Sequence, residues 1–183
     1  MKELSLNILD IAQNSVKAGA RNISILISED NNTFSLRISD DGCGIKEEQL
    51  KSIFDPFFTS RTTRKVGFGI PFLKLAAEQT GGHVKIESIP SSDNSENHGT
   101  DINALFYKKH IDFTPLGDII STVITLLQGN PSINFYFTHS VGDKEVSLST
   151  PEMKAELGNE VPLNNYEVLE WVREYLQEQY NGI

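Results

Sequence analysis

From residue 22 to residue 40 the chain alternates apolar and polar side chains in two runs. Ile23, Ile25 and Ile27 mark the first and Phe34, Leu36 and Ile38 the second. Period-two alternation over eight residues describes a strand with one buried face, and Asp30-Asn31-Asn32 between the runs is hairpin-turn chemistry. An isolated ribbon of this kind is unstable in water, so its apolar face needs a covering layer. Residues 3–18 read as a helix with Leu4, Ile8, Ile11, Ser15 and Ala18 on one stripe and Gly19 as the stop. Further along, the pattern predicts a short helix over 46–53, a polar, basic loop over 56–66, and a helix over 71–80 ended by Gly81-Gly82. Strands are predicted over 84–89 and 101–107, a helix over 116–128, strands over 132–139 and 143–150, and a final helix over 165–179. The expected fold class is α/β, a two-layer sandwich with a mixed sheet and helices on one face.

At 183 residues, with 38% hydrophobic and 22% charged side chains, the chain can bury one sizeable core and is neither disordered nor fibrous. Its best apolar window, 119–127, is short and broken by Ser121, Thr122 and Thr125, so no membrane span is predicted. The first residues lack an apolar run with a cleavage site, and no signal peptide is expected. The one cysteine, Cys43, excludes an internal disulfide and a cysteine zinc site, which fits a reducing cytoplasm. Cys43 itself reads as a small packed side chain. The net charge of −9 is unevenly spread: residues 111–183 carry 3 basic and 11 acidic side chains, while residues 1–110 are nearly balanced. An acidic surface repels phosphate backbones, so nucleic acid is not an expected partner. The acidic segment reads as a solvated, solubilising face.

Three constellations carry chemistry. Asp10, Asn14 and Lys17 are spaced i, i+4, i+7 and project from one face of the first helix. An acid, an amide oxygen and an ammonium suit a Mg²⁺-triphosphate, although the same spacing also suits a solvated helix face. Asp40-Asp41-Gly42-Cys43-Gly44-Ile45 lies where a strand ends, so that an aspartate can accept from an exocyclic amine and glycines let backbone approach a flat ring. Gly67-Phe68-Gly69-Ile70-Pro71 opens a helix whose free N–H groups attract phosphate oxygens.

In this order, the three resemble the superfamily of gyrase, heat-shock-chaperone, histidine-kinase and mismatch-repair ATPases (GHKL), over about residues 1–107. The resemblance implies the Bergerat ATP-binding fold, with ATP and Mg²⁺ as ligands. Leu9 through Ala20 is similar to the family's N box, which implies that Asn14 ligands Mg²⁺ and Lys17 touches phosphate. Asp40 to Gly44 is similar to the G1 box, implying that Asp40 receives the adenine amino group beside Gly42, Gly44 and Ile45. The run from Phe54 to Arg61 resembles the F box that begins the ATP lid of histidine kinases, which brings in Phe57, Thr59 and Arg61. Gly67, Phe68 and Gly69 match the G2 box, and Gly99-Thr100 matches the Gly-Thr in which the threonine approaches adenine. The N and G1 boxes resemble a MutL-type ATPase, whereas the F box and lid resemble histidine kinases. Lys65 stands where the G2 box usually has its first glycine and could reach the β- or γ-phosphate. Asp41 replaces the usual asparagine. Asp10 occupies the place of the glutamate base of hydrolysing members and is one methylene shorter.

His110 through Leu116 resembles a histidine-kinase phosphoacceptor box, but it follows the ATP-binding segment where that box normally precedes it, so it reads as a linker. Residues 1–109 are therefore expected to form a histidine-kinase-like ATP-binding domain. Residues 110–183 are expected to be an acidic α+β extension with Phe135, Phe137, Leu148, Trp171 and Leu176 in its core. The expected function is that of a cytoplasmic, Mg-ATP-binding regulatory kinase without a standard phosphoacceptor hairpin, acting on a separate protein. The alternatives are an ATP-gated switch or slow ATPase of the MutL type, and an ATP sensor without turnover.

Overall fold

The computed structural model describes residues 3–54, 69–93, 97–158 and 161–183. Six strands form one sheet in the order β3-β4-β2-β1-β5-β6. The hairpin of β1 (Asn22–Glu29) and β2 (Thr33–Asp40) lies at its centre, and β3 (His83–Ile89) and β4 (Gly99–Tyr107) continue it antiparallel on one side. On the other side β5 (Asn134–Val141) runs parallel to β1, and β6 (Lys144–Ser149) closes the sheet. The C-terminal segment thus extends the same sheet, and the parallel pair makes the sheet mixed as expected.

One face of the sheet is covered by helices. The alternation seen in sequence is realised: Ile23, Ile25, Ile27, Phe34, Leu36 and Ile38 are buried, as are Phe135 and Phe137 from β5. Above them lie α1 (Leu4–Lys17), α3 (Gly69–Gln79), α4 (Ile119–Gly129) and α6 (Tyr166–Asn181). α1 packs against α3 on one side and α4 on the other, and α4 packs against α6. The segment before α4 is fastened to the start of α1, where the Leu4 and Ser5 N–H groups donate to the carbonyls of Pro115 (2.9 Å) and Leu116 (2.8 Å). Those amides would otherwise be orphans of the first helical turn. Two short helices complete the chain, α2 (Glu47–Leu50) and α5 (Thr150–Leu157).

Several expectations are corrected. The helix predicted over 116–128 begins at Ile119, because Gly117 turns at φ +78° and the Asp118 side chain caps the Ser121 N–H at 2.9 Å. The strand predicted to run to 150 stops at Ser149, where Thr150-Pro151 opens α5, a helix absent from the sequence reading. Cys43 is exposed, not packed. Trp171, expected in the core, is 49% exposed, because α6 buries Val168, Leu169, Val172 and Leu176 instead. Among the described residues no helix is long and apolar enough to cross a membrane.

Candidate functional site

The end of β2, the start of β4 and the facing sides of α1 and α3 enclose a cleft of about 450 Å³. Ile11, Ala18, Ile45, Ile53, Ile70 and Ile102 give it apolar walls, and Asn14, Lys17, Asp40, Gly44, Gly69 and Thr100 also line it. Residues from all three sequence constellations, Asn14 and Lys17, Asp40 and Gly44, and Gly69, therefore meet in one place, with Thr100 beside them. Phe57, Thr59, Arg61, Lys65, Gly67 and Phe68, and with them the lid, lie outside the described residues.

Asp40 is the polar focus. One carboxylate oxygen accepts from Ser15 Oγ at 2.5 Å and the other from the Gly42 N–H at 2.9 Å. A carboxylate has about four acceptor positions, so two donors aim it and leave capacity for an incoming amine. Ser15 is buried in the apolar stripe of α1, where a hydroxyl needs a partner. A lone polar residue on that stripe was the available signal for its role, which the sequence reading missed.

Thr100 is paired across the ladder with Asp40. Its hydroxyl lies 2.9 Å from Ser88 Oγ, a contact that sequence reasoning did not anticipate. Ser88 Oγ also donates to the Gly99 carbonyl and accepts from the Ile45 N–H, both at 2.8 Å. Either hydroxyl of the Ser88–Thr100 pair can donate to the other. Asp40 presents carboxylate acceptors beside the Thr100 hydroxyl in the same cleft. A carboxylate acceptor is what an exocyclic amine needs.

The glycine loop lies against neighbouring backbone. Gly44 turns at φ +67°, and a Cβ there would run into the Ile89 carbonyl. A Cβ on Gly42 would come within 2.9 Å of both Ala18 Cβ and Asp40 Oδ1. The Cys43 N–H donates to the Ala18 carbonyl at 2.9 Å, and His98 Nδ1 braces the Gly42 carbonyl at 2.7 Å. Asp41 accepts from the N–H groups of Arg21 (2.7 Å) and Asn22 (2.9 Å) and from the Asn22 side chain (2.7 Å). Partial burial pushes its carboxyl up, but the hydrogen bonds from Asn22 and Arg21 outweigh this and hold it below the usual carboxylate value. Asp41 ties the loop to the start of β1.

Asp10 stands at the border of the cleft, where a Cβ added to Gly69 would strike its carboxylate, so glycine at that place lets α3 begin against α1. Asn7 Nδ2 donates to the Gly69 carbonyl at 3.3 Å and fastens the same junction.

His110 lies at the far end of the sheet. Its turn follows Tyr107, the last residue of β4, whereas Thr100 is near the first. Seven residues of strand separate those two by roughly 23 Å. The imidazole is engaged locally, its Nδ1 accepting from the Asp112 N–H at 3.2 Å. Phe113, three residues on, packs on Phe34 and Phe106 with ring centroids at 5.9 and 6.3 Å.

The comparisons with known proteins agree with this geometry. Residues 2–110 match the family model described as histidine kinase-, DNA gyrase B-, and HSP90-like ATPase. Among curated relatives, the sensor histidine kinase CitA of Klebsiella pneumoniae is 33% identical over 85 residues, covering 45% of this chain and 16% of that protein. The sensor protein KdpD of Clostridium acetobutylicum is 35% identical over 94 residues, or 49% of this chain and 10% of that protein. The chain thus matches only a small part of those relatives' length. The solved N-terminal domain of a DNA repair protein superposes with a TM-score of 0.60 over 81% of this chain and 53% of its own, at 15% identity, which speaks to the fold alone. With the family model spanning more than half of its length, the chain belongs to the histidine kinase-, DNA gyrase B- and HSP90-like ATPases and carries their ATP-binding domain.

Proposed function

We propose that the chain binds ATP·Mg²⁺ in the cleft between α1, the Asp40–Gly44 loop and α3, and acts as a regulatory kinase on a separate protein. The observation that carries the binding reading is Asp40, aimed by Ser15 and Gly42 at an apolar slot and retaining acceptor capacity for the adenine amine. Lys17 and the start of α3 are suited to the phosphates, by point charge and by N–H groups at the helix end. Asn14 lines the cleft, and its amide offers a hard oxygen that would hold Mg²⁺, which would neutralise phosphate charge there. Phe57, Thr59, Arg61, Lys65, Gly67 and Phe68 belong to this reading through the resemblance alone.

Asp10, one helical turn before Asn14, is the candidate base for activating a nucleophile. That the acceptor is on another protein is supported by His110, which is held to its own loop at the opposite end of the sheet. The exposed thiol of Cys43 suits a reducing cytoplasm. Incubation with γ-labelled ATP distinguishes the outcomes. Label on a second protein supports the kinase, whereas free phosphate without protein label supports a slow ATPase or switch. Label retained as intact bound ATP, with neither free phosphate nor labelled protein, supports a sensor. Acid-labile label on the chain itself would overturn a separate acceptor.

A further inference from the structure

We propose that the exposed face of α6 is a docking surface for an arginine-rich segment of a partner protein. α6 is held down by Val168, Leu169, Val172 and Leu176, yet along the edge of that buried stripe it carries two large aromatic rings half exposed to water. Trp171 and Tyr175 are 49% and 39% exposed and stack on each other, with centroids 5.2 Å apart and planes within 13°. Glu167, Glu174 and Glu178 stand at i−4, i+3 and i+7 from Trp171, so the helical period places them on the same side, and all three are exposed. A merely solubilising face has no use for a stacked tryptophan. Carboxylates alone are met by any cation, but an aromatic plane beside their row selects a flat one. A guanidinium can add a third layer to the Trp171–Tyr175 stack while its N–H groups reach carboxylate oxygens.

Charge decides among occupants. Residues 111–183 carry 11 acidic and 3 basic side chains, which repels nucleic acid and anionic membrane. A second copy would set this row of glutamates against its own. Arg173 pairs with Glu170 at 3.6 Å, outside the row. The helical layer runs α3, α1, α4, α6, so this face is at the other end of the molecule from the nucleotide cleft. Docking should therefore leave ATP affinity unchanged.

Trp171 is the chain's one tryptophan, so its fluorescence reads this face directly. The test titrates the full chain with octa-arginine, and with octa-lysine for comparison. Octa-arginine should change Trp171 emission saturably and bind more tightly than octa-lysine. The triple substitution E167Q/E174Q/E178Q should weaken binding by roughly tenfold, and Tyr175→Ala should also weaken it, with circular dichroism unchanged. A control with the same charge change elsewhere, D143N/E152Q/E156Q, should have a much smaller effect. Unchanged emission, equal weakening by both triple variants, equal binding of the two peptides, or self-association through this face would each overturn the proposal. Failure here leaves the nucleotide reading untouched, because ATP titration is a separate measurement.

Discussion

At the residue scale, the site rests on the hydroxyls of two serines that hold the cleft's polar groups at fixed angles. Ser15 and the Gly42 amide each take one oxygen of Asp40, and Ser88 Oγ lies 2.9 Å from the Thr100 hydroxyl. Truncating Ser15 removes a charge-assisted bond without opening a large cavity. The Asp40 carboxylate then swings more freely and must be re-ordered when nucleotide binds. Ser15→Ala is therefore expected to weaken ATP·Mg²⁺ binding by about 1 kcal/mol, or five- to tenfold in Kd, by calorimetry. Unchanged affinity would mean that Asp40 needs no orienting partner. Asp41 works toward the strand instead. Its three hydrogen bonds explain why an aspartate serves where the resemblance expects asparagine, since acceptors alone are needed there.

At the scale of elements, what can move matters most. The stretch from His110 to α4 is pinned twice, by Phe113 between Phe34 and Phe106 and by the Pro115 and Leu116 carbonyls on α1. His110→Ala should therefore leave nucleotide binding and label transfer to a partner unchanged, and the wild-type chain alone should gain no acid-labile label at any concentration. Concentration-dependent label lost in the variant would show transfer between two copies. The free edge of β6 is covered by α6, whose Gln179 side chain accepts from the Ser147 N–H at 2.9 Å and donates to its carbonyl at 3.1 Å. That amide takes the place of a neighbouring strand and blunts the edge. Such details mark what was legible in the sequence. β1 and β2 were legible to the residue, because period-two alternation needs no partner to be seen. The helix α5 was not, since it buries only Thr150 and Met153 and leaves almost no periodic signal, although Ser149-Thr150-Pro151-Glu152 is a readable start. The family resemblance pointed to Asp40, Gly44, Gly69 and Thr100, which the fold brings to one cleft. Ser88 could not, because its role exists only once β3 and β4 are in register.

At the scale of the whole molecule, the parallel seam between β1 and β5 joins the nucleotide-binding half to the C-terminal segment. A buried polar chain crosses it: His139 Nε2 lies 3.1 Å from Glu29 Oε1 and its Nδ1 lies 2.8 Å from the Tyr180 hydroxyl, while Lys108 pairs with the other oxygen of Glu29. Burial lowers the pKa of His139 despite the attraction of Glu29, with Lys108 adding to the decrease. The ring is thus held neutral, donating through Nε2 and accepting from Tyr180, whose hydroxyl burial keeps protonated. A folded-state pKa below the unfolded value means that the unfolded chain takes up the proton first. Stability should therefore begin to fall as pH drops below about 6.5, well above the carboxylate range. Thermal unfolding between pH 7.5 and 5.5 should show this decline in the wild type and a flatter profile in His139→Gln. A flat wild-type profile would contradict the neutral assignment. That this molecule is built around an adenine-nucleotide cleft is tested by calorimetric titration of the full chain with ATP·Mg²⁺ against Asp40→Asn. Asparagine must turn an NH₂ toward Ser15, the Gly42 N–H or the incoming amine, so affinity should fall by about 1–3 kcal/mol, roughly five- to 150-fold. Saturable wild-type binding with that loss in the variant is the predicted result, and equal affinity in both proteins would contradict it.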